Sequence, residues 1–536
     1  MAELRDYQQD LLEQAEAALQ PRDARVMLQL PTGGGKTHIA GALLRRWLHD
    51  GRKAAWLTHR TELADQTRLM LEDTGVPASN RISWRVGNDA PYLTKGVVIL
   101  MAQTVSRRTN QMQIWDRYRS SDLLVIDEAH HATADGYVRA IRQWTGRVLG
   151  LTATPWRLSK IEGFDHLFGQ LLCGPQVSEL QANNHLCQAR VLMPRPGETI
   201  SGGSIDDTGD YNPSGIEQAN QDRPDVMTAG ALRFWQFHAA ERQTVVYAIS
   251  KDHARNLVAV FKDAGIPAAV MLDDTLPDER ANAIKSFGNG SLRVLVNVAV
   301  ATEGFDLPDA SCVVITRPTM SLALYLQMVG RGLRPKANGG NCLILDLAGN
   351  AEIHGLPEDD RQWSLNPRGN KPGSEAPVIR CEKCNGVSPA ASQNCPHCGT
   401  PFGKDCPRCG VWRAWQRWGY ETRCGQQHEL VCDLCHYDAH IQAQLPITDE
   451  LRRLTEMEPD LDAAIRHLLE EERRRASGAD EERKRQLSSL ISHRKSELAS
   501  DSLLKAFKNH IAALPVEDRP KANWTNTACS LNGKTA

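Results

Sequence analysis

The sequence predicts an α/β protein: two parallel-sheet domains in succession, then cysteine-based ribbons and a charged helical end. Three observations predict it. Between residues 1 and 175, short apolar runs at 26–30, 54–58, 97–101, 123–126 and 148–151 alternate with helical patterns, the rhythm of strands covered by helices. The same alternation returns over 229–350, with runs at 245–248, 294–298, 313–316 and 343–345. Nine of the 14 cysteines then crowd between Cys381 and Cys435, which without a secretory leader reads as metal binding rather than disulfides.

At 536 residues the chain exceeds what one core supports. The expected order is a domain at 1–175, a connecting segment at 176–228, a domain at 229–350, a linker at 351–378, ribbons at 379–440, and a charged helical region with a polar tail at 441–536. A hydrophobic share of 41% and a charged share of 24% are those of a globular protein. The net charge of −2 excludes a global basic field, so any nucleic-acid surface must be local. No apolar run reaches the roughly 18 residues of a membrane-spanning helix. The first residues lack the apolar core of a signal peptide, so the expected location is cytoplasmic.

The first domain is organised around Pro31-Thr32-Gly33-Gly34-Gly35-Lys36-Thr37. A strand candidate precedes it, and a helical pattern with Ile39, Ala40, Leu43, Leu44 and Trp47 on one face follows it. Strand, glycine loop, Lys-Thr and helix make a phosphate cradle. Backbone N–H groups close around the phosphates and the helix N-terminus adds its positive end. Lys36 would then reach the β- and γ-phosphates of ATP, and the Thr37 hydroxyl would bind Mg²⁺. Leu30 stands where the strict pattern has glycine. Asp127 and Glu128 follow the run at 123–126, at the strand end where parallel sheets bind ligands. Asp127 would hold the Mg²⁺, and Glu128 would orient and deprotonate the attacking water. Thr152 and Thr154 close the next strand candidate. Near the start, Tyr7 can stack on adenine, and the Gln8 amide can pair with its edge.

In the second domain, Gln327-x-x-Gly330-Arg331-x-x-Arg334 places two arginines on one helical face. Aimed from a second lobe at a phosphate site on the first, they would act as fingers stabilising transferred charge.

In this order, the stretches at 31–37, 56–67, 127–130, 152–155, 300–306 and 327–334 resemble those of superfamily 2 helicases with two RecA-like lobes, over about residues 1–350. The stretches at 295–306, 327–334 and 343–346 resemble bacterial RadD-type DNA-repair helicases, which also carry cysteine-rich segments after the motor. The resemblance implies Lys36, Thr37, Asp127 and Glu128 for hydrolysis, with Arg331 and Arg334 as fingers in the motif that Gln327 opens. It implies Thr302, Gly304 and Asp306 for coupling between nucleotide and strand. It also implies that His59, Arg60, Gln103 and Thr104 touch the nucleic-acid backbone.

Cys381-x-x-Cys384 and Cys395-x-x-Cys398 form one set of four, and Cys406-x-x-Cys409 and Cys432-x-x-Cys435 a second. Paired CxxC knuckles suit structural Zn²⁺. Cys424 and His428 leave the fourth ligand of the second set open. Trp412, Arg413, Trp415 and Arg417 interleave aromatic and basic groups, which can stack bases and neutralise phosphates or, alternatively, fill a ribbon core. The charge runs at 470–475 and 481–485 read as a solvated helix that could dock a protein partner. The reading is an ATP- and Mg²⁺-dependent helicase or translocase with zinc ribbons. It acts on DNA, single-stranded or forked rather than RNA, in repair or genome maintenance. A duplex-translocating subunit of a restriction or anti-phage system is the alternative among motors. An ATP-switched adaptor that separates no strands is the alternative from another class. The motor, with its own cores, is expected to fold without the zinc.

Overall fold

A computed structural model describes residues 4–58, 61–76, 81–84, 96–102, 121–131, 135–156, 163–298, 310–336, 339–366 and 378–405, and the strands at 412–414, 420–424 and 427–431. The chain divides into two compact units, 1–391 and 392–536. The charged region at 441–536 lies outside the described residues.

The first unit holds two sheets. The first contains β1 (Arg25–Gln29), β2 (Lys53–Thr58), β3 (Arg81–Trp84), β4 (Gly96–Met101), β5 (Leu123–Ile126), β6 (Arg147–Thr152) and β7 (Gln170–Cys173). Their order is β3-β4-β2-β5-β6-β1-β7, and every pairing is parallel. The second contains β8 (Ala189–Leu192), β9 (Thr244–Tyr247), β10 (Ala268–Met271), β11 (Val294–Asn297), β12 (Cys312–Ile315) and β13 (Cys342–Asp346). Its order is β10-β11-β9-β12-β13-β8, again all parallel.

The continuous apolar runs form these strands because both faces of a helix-covered parallel sheet are buried. In β5, Leu123 and Val125 join one core, and Leu124 and Ile126 join the other. In β12, Val313 and Ile315 divide from Cys312 and Val314 in the same way, as the two-residue repeat of a strand requires.

Two segments between the named blocks take part in the lobes. Residues 189–192 supply β8, the edge strand beside β13. After the short helix Asn350–His354, the chain returns to the first lobe. Phe164 N–H donates to the Leu365 carbonyl at 2.7 Å, and the rings of Trp156 and Trp363 lie 4.6 Å apart. The hairpin of β14 (Val378–Arg380) and β15 (Val387–Pro389) leans on the second lobe. Met193 N–H donates to the Asn385 carbonyl at 3.0 Å, and Val387 is buried in that lobe's core.

Candidate nucleotide cleft

β1 ends in the turn that opens the helix Lys36–His49. Gly33 and Gly35 have φ of +84° and +91°, a region that costs other residues energy. At Gly35 a Cβ would also meet the Gln8 amide. The helix is anchored by Ile39, Ala40, Leu43, Leu44 and Trp47 in the core, so the loop sits on a rigid base. Gln8 Nε2 and Tyr7 Oη both donate to the Gly34 carbonyl, at 2.9 and 2.8 Å. Both residues expected at adenine therefore clamp the phosphate loop, while the Tyr7 ring lies 5.2 Å from that of His185.

Lys36 is 9% exposed and its Nζ donates to the Leu30 carbonyl at 2.9 Å. Burial lowers its pKa, Glu128 and Asp127 pull it back up, and Arg331 lowers it further. Asp127 follows the buried strand β5, and its Oδ1 accepts the Glu128 N–H at 3.0 Å. Glu128 has φ of +48°, a strained conformation for a residue with a Cβ. It turns the carboxylate toward His130, whose Nδ1 lies 3.3 Å from Glu128 Oε2 and 3.3 Å from Thr152 Oγ1. The Thr152 hydroxyl hydrogen goes to the Thr154 carbonyl, so Thr152 Oγ1 accepts from His130. The Gln327 amide Nε2 lies 3.2 Å from His130 Nε2. The Nδ1–H tautomer serves both hydrogen bonds: Nδ1–H donates to Thr152 Oγ1, and Nε2 accepts from Gln327, an assignment by hydrogen-bond logic.

Gln327 comes from the second lobe, on the helix Leu322–Gly330. At that helix end, a Cβ on Gly330 would lie 2.6 Å from Thr32 Cβ, so only glycine admits this approach of one lobe to the phosphate loop of the other. Arg331 is 9% exposed, and its charge acts on Lys36. The Arg334 stem packs beside Gly33, and burial lowers the pKa of its guanidinium.

Lys36, Thr37, Asp127, Glu128, Thr32 and Gly33–Gly35 thus line one side of the cleft, and Gln327, Arg331 and Arg334 line the other. His59, Arg60, Gln103, Thr104, Thr302, Gly304, Asp306, Trp415 and Arg417 lie outside the described residues. Trp412 and Arg413 form part of a strand at 412–414, and only their backbone is described. Sequence reasoning quoted His130 without giving it a role. Its signal was its place two residues after Glu128, but its partners lie 22 and 197 residues away.

Both lobes have counterparts among known proteins. Residues 1–157 match the family model described as "Type III restriction enzyme, res subunit", and residues 231–336 match "Helicase conserved C-terminal domain". The two matched stretches fall on the first and second parallel-sheet lobes. The chain is 29% identical over 382 residues to the 51.5 kDa protein of a Lactococcus phage, covering 70% of this chain and 78% of that protein. The putative ATP-dependent helicase IRC3 of Saccharomyces cerevisiae is 28% identical over 368 residues, 65% of this chain. The chain spans about half of that relative, 52%. A fragment of a putative HsdR subunit of a type I restriction enzyme from Vibrio vulnificus superposes with a TM-score of 0.49 at 18% identity, covering 66% of this chain and 67% of that one.

Beyond the two lobes, the thiols of Cys381, Cys384, Cys395 and Cys398 all lie within 4.8 Å of one another. Each CxxC makes the same knuckle. Cys381 N–H donates to the Gly386 carbonyl, and Asn385 N–H donates back to Cys381, both at 2.8 Å. Cys395 repeats this with Thr400 and Gly399 at 2.8 Å. Asn385 and Gly399 both take positive φ, 61° and 71°. Four converging sulfurs fit a closed zinc site. Cys406, Cys409, Cys432 and Cys435 lie outside the described residues, and of Cys424 and His428 only the backbone is described, in strands at 420–424 and 427–431. Among the described residues no helix is long and apolar enough to cross a membrane.

Proposed function

We propose that the protein is an ATP-driven DNA translocase or helicase that hydrolyses ATP between its two lobes. One observation carries this reading: His130, whose Nδ1 lies 3.3 Å from Glu128 Oε2, is hydrogen-bonded at Nε2 to Gln327 of the second lobe, so the two lobes meet beside Glu128. In it, Lys36 and Thr37 with Asp127 hold ATP and Mg²⁺, and Glu128 activates the attacking water. Arg331 and Arg334 stabilise the transferred charge. Tyr7 and Gln8 set the loop against which adenine sits. Zinc bound by Cys381, Cys384, Cys395 and Cys398 is structural, because four thiolates leave no open position for substrate.

The DNA substrate is supported by the names of relatives, which include a DNA 3'-5' translocase XPB2 and type I restriction endonuclease subunits. Single-stranded or forked DNA as the preferred form, a RadD-type repair role, a cytoplasmic location and a protein partner at 441–536 rest on the sequence motifs. The restriction-type reading has its own support in the match of residues 1–157. ATPase rate with single-stranded, duplex and forked DNA, with RNA and with none tests the proposal. Stimulation by DNA is expected; equal rates in every arm would favour an ATP-switched adaptor. Strand displacement by the same protein then separates a helicase from a translocase.

A further inference from the structure

The six strands of the second sheet repeat the order of the first, with β8 in the place of β1, β12 in that of β5 and β13 in that of β6. In the first lobe the ends of those three strands lead to Lys36, to Asp127 and Glu128, and to Thr152. In the second they lead to a segment that returns as Asp210, to residues 316–321, and to Asp346. These meet as a closed polar network. The Thr319 hydroxyl donates to Asp210 at 2.9 Å, and Met320 N–H donates to the same carboxylate at 2.7 Å. Thr319 N–H donates to Asn350 Oδ1 at 2.9 Å, and His354 Nε2 donates to the Thr319 carbonyl at 2.9 Å. Asp346 accepts from Ala348, Ala351 and Asn350.

Asp210 is 8% exposed, and its nearest cation, Arg317, is 4.0 Å away. A buried carboxylate is costly unless its lone pairs are met, and here, beside the neighbouring Tyr211 N–H at 2.9 Å, the groups that meet them, Thr319 and Met320, stand more than a hundred positions along the chain. What they hold is the start of a helix. Ser321 N–H donates to Thr319 Oγ1 at 2.9 Å, and Ser321 caps the helix Leu322–Gly330 by accepting from Leu324 N–H. The far end of that nine-residue helix brings Gln327 to His130 and Arg331 to Lys36.

We propose that Asp210 is a positioning residue for hydrolysis: by fixing Thr319 and Met320, it sets where the helix Leu322–Gly330 delivers Gln327 and Arg331. This rests on the reading of Arg331 as a finger. Misplacing a catalytic group by about 1 Å can cost on the order of 10²-fold in rate, so Asp210→Ala is expected to lower kcat roughly 10- to 100-fold with KM for ATP within about threefold. Asp210→Asn keeps an acceptor for the Thr319 hydroxyl and Met320 N–H, and should restore most of the rate. Because Asp210 acts through the helix that carries both Gln327 and Arg331, Asp210→Ala added to a protein with Gln327→Ala and Arg331→Ala should turn over no more slowly than that double variant alone. Thr319→Val, which removes the same link from the other side, carries the test if Asp210→Ala does not fold. Wild-type kcat in Asp210→Ala, a loss in KM rather than kcat, or a further loss when Asp210→Ala is added to the double variant would overturn the proposal. Wild-type turnover in Arg331→Ala is a different failure, since it sinks the finger reading itself.

Discussion

The two lobes share one strand order and use their strand ends in opposite ways. In the first, the chain after β1 is glycine with positive φ, and the groups around it face a cleft. In the second, the equivalent ends close on one another through Asp210, Thr319, Asp346, Asn350 and His354. A glycine loop at the head of a helix makes a binding place; Asp, Thr and Asn side chains turned inward make a platform. The same topology becomes a substrate site or a rigid mount according to which residues follow the strands. A ligand site is therefore expected on the first lobe and a presenting surface on the second.

The largest effects should show that chemistry nonetheless needs both lobes. Glu128→Gln and Arg331→Ala remove the proposed base from one lobe and a cation from the other. Each is expected to cut ATP turnover by about 10³-fold, with nucleotide binding kept, as read by single-turnover hydrolysis beside equilibrium binding. A first-lobe variant that abolished turnover beside an Arg331→Ala protein at full rate would break the shared cleft.

The next effect isolates the approach of the lobes. Gly330→Ala puts a Cβ against Thr32 without touching either core. Turnover should fall by roughly 10²-fold through misplacement, while thermal melting stays at the wild-type midpoint. Full activity would mean that the lobes work at a wider separation.

Zinc removal should distinguish the lobes by stability. Val387, between the two CxxC knuckles, is in the second lobe's core, and Asn385 is bonded to Met193 beside β8. Cys381→Ser with Cys384→Ser should destabilise that lobe and leave the first unchanged. A loss of about 2 kcal/mol would lower its midpoint by roughly 4–8 °C. A second lobe melting as in wild type would return the ribbon to the status of an independent appendage.

The smallest effect is a pH dependence inside the platform. Burial pushes the Asp346 carboxyl up to about 6 and His354 down to about 4. The folded state holds the Asp346 proton more tightly than the unfolded state, so this group's contribution is present below pH 4 and lost as pH rises through 6. His354 does the reverse: its contribution is present above pH 6.5 and lost as pH falls toward 4. The two oppose each other on acidification. Asp346→Asn removes one of them, so stability should fall more steeply between pH 7 and pH 5 than in wild type, by about 1 kcal/mol. Calorimetric midpoints at the two pH values measure it, and parallel slopes would contradict it.

Much of the first lobe was legible because its chemistry is contiguous. A glycine loop ending in Lys36-Thr37 and an acid pair after an apolar strand each need only neighbours in sequence, and the CxxC spacing of Cys381, Cys384, Cys395 and Cys398 is equally local. The rest depends on pairs distant along the chain. Nothing near Asp210 in sequence announces Thr319, and nothing in residues 189–192 announces an edge strand beside β13. The polar composition of 351–378 reads as a linker, yet 361–366 includes Trp363 and Leu365, which pack on the first lobe. The packing of Val387 into the second lobe's core is likewise a distant contact that composition could not reveal.

The return of the chain to the first lobe has a mechanical consequence. Among the described residues the chain crosses between the lobes at 174–188 and at 355–361, and these two crossings are bonded to each other. Gln176 donates to the Arg361 carbonyl at 3.0 Å, and the Ser178 hydroxyl donates to Asp360 at 2.6 Å. A single tether permits swivelling and sliding. Two tethers lying side by side define a spine, about which the halves open as covers do and resist shear. A relative motion of the halves is thereby expected to run as rotation about that line.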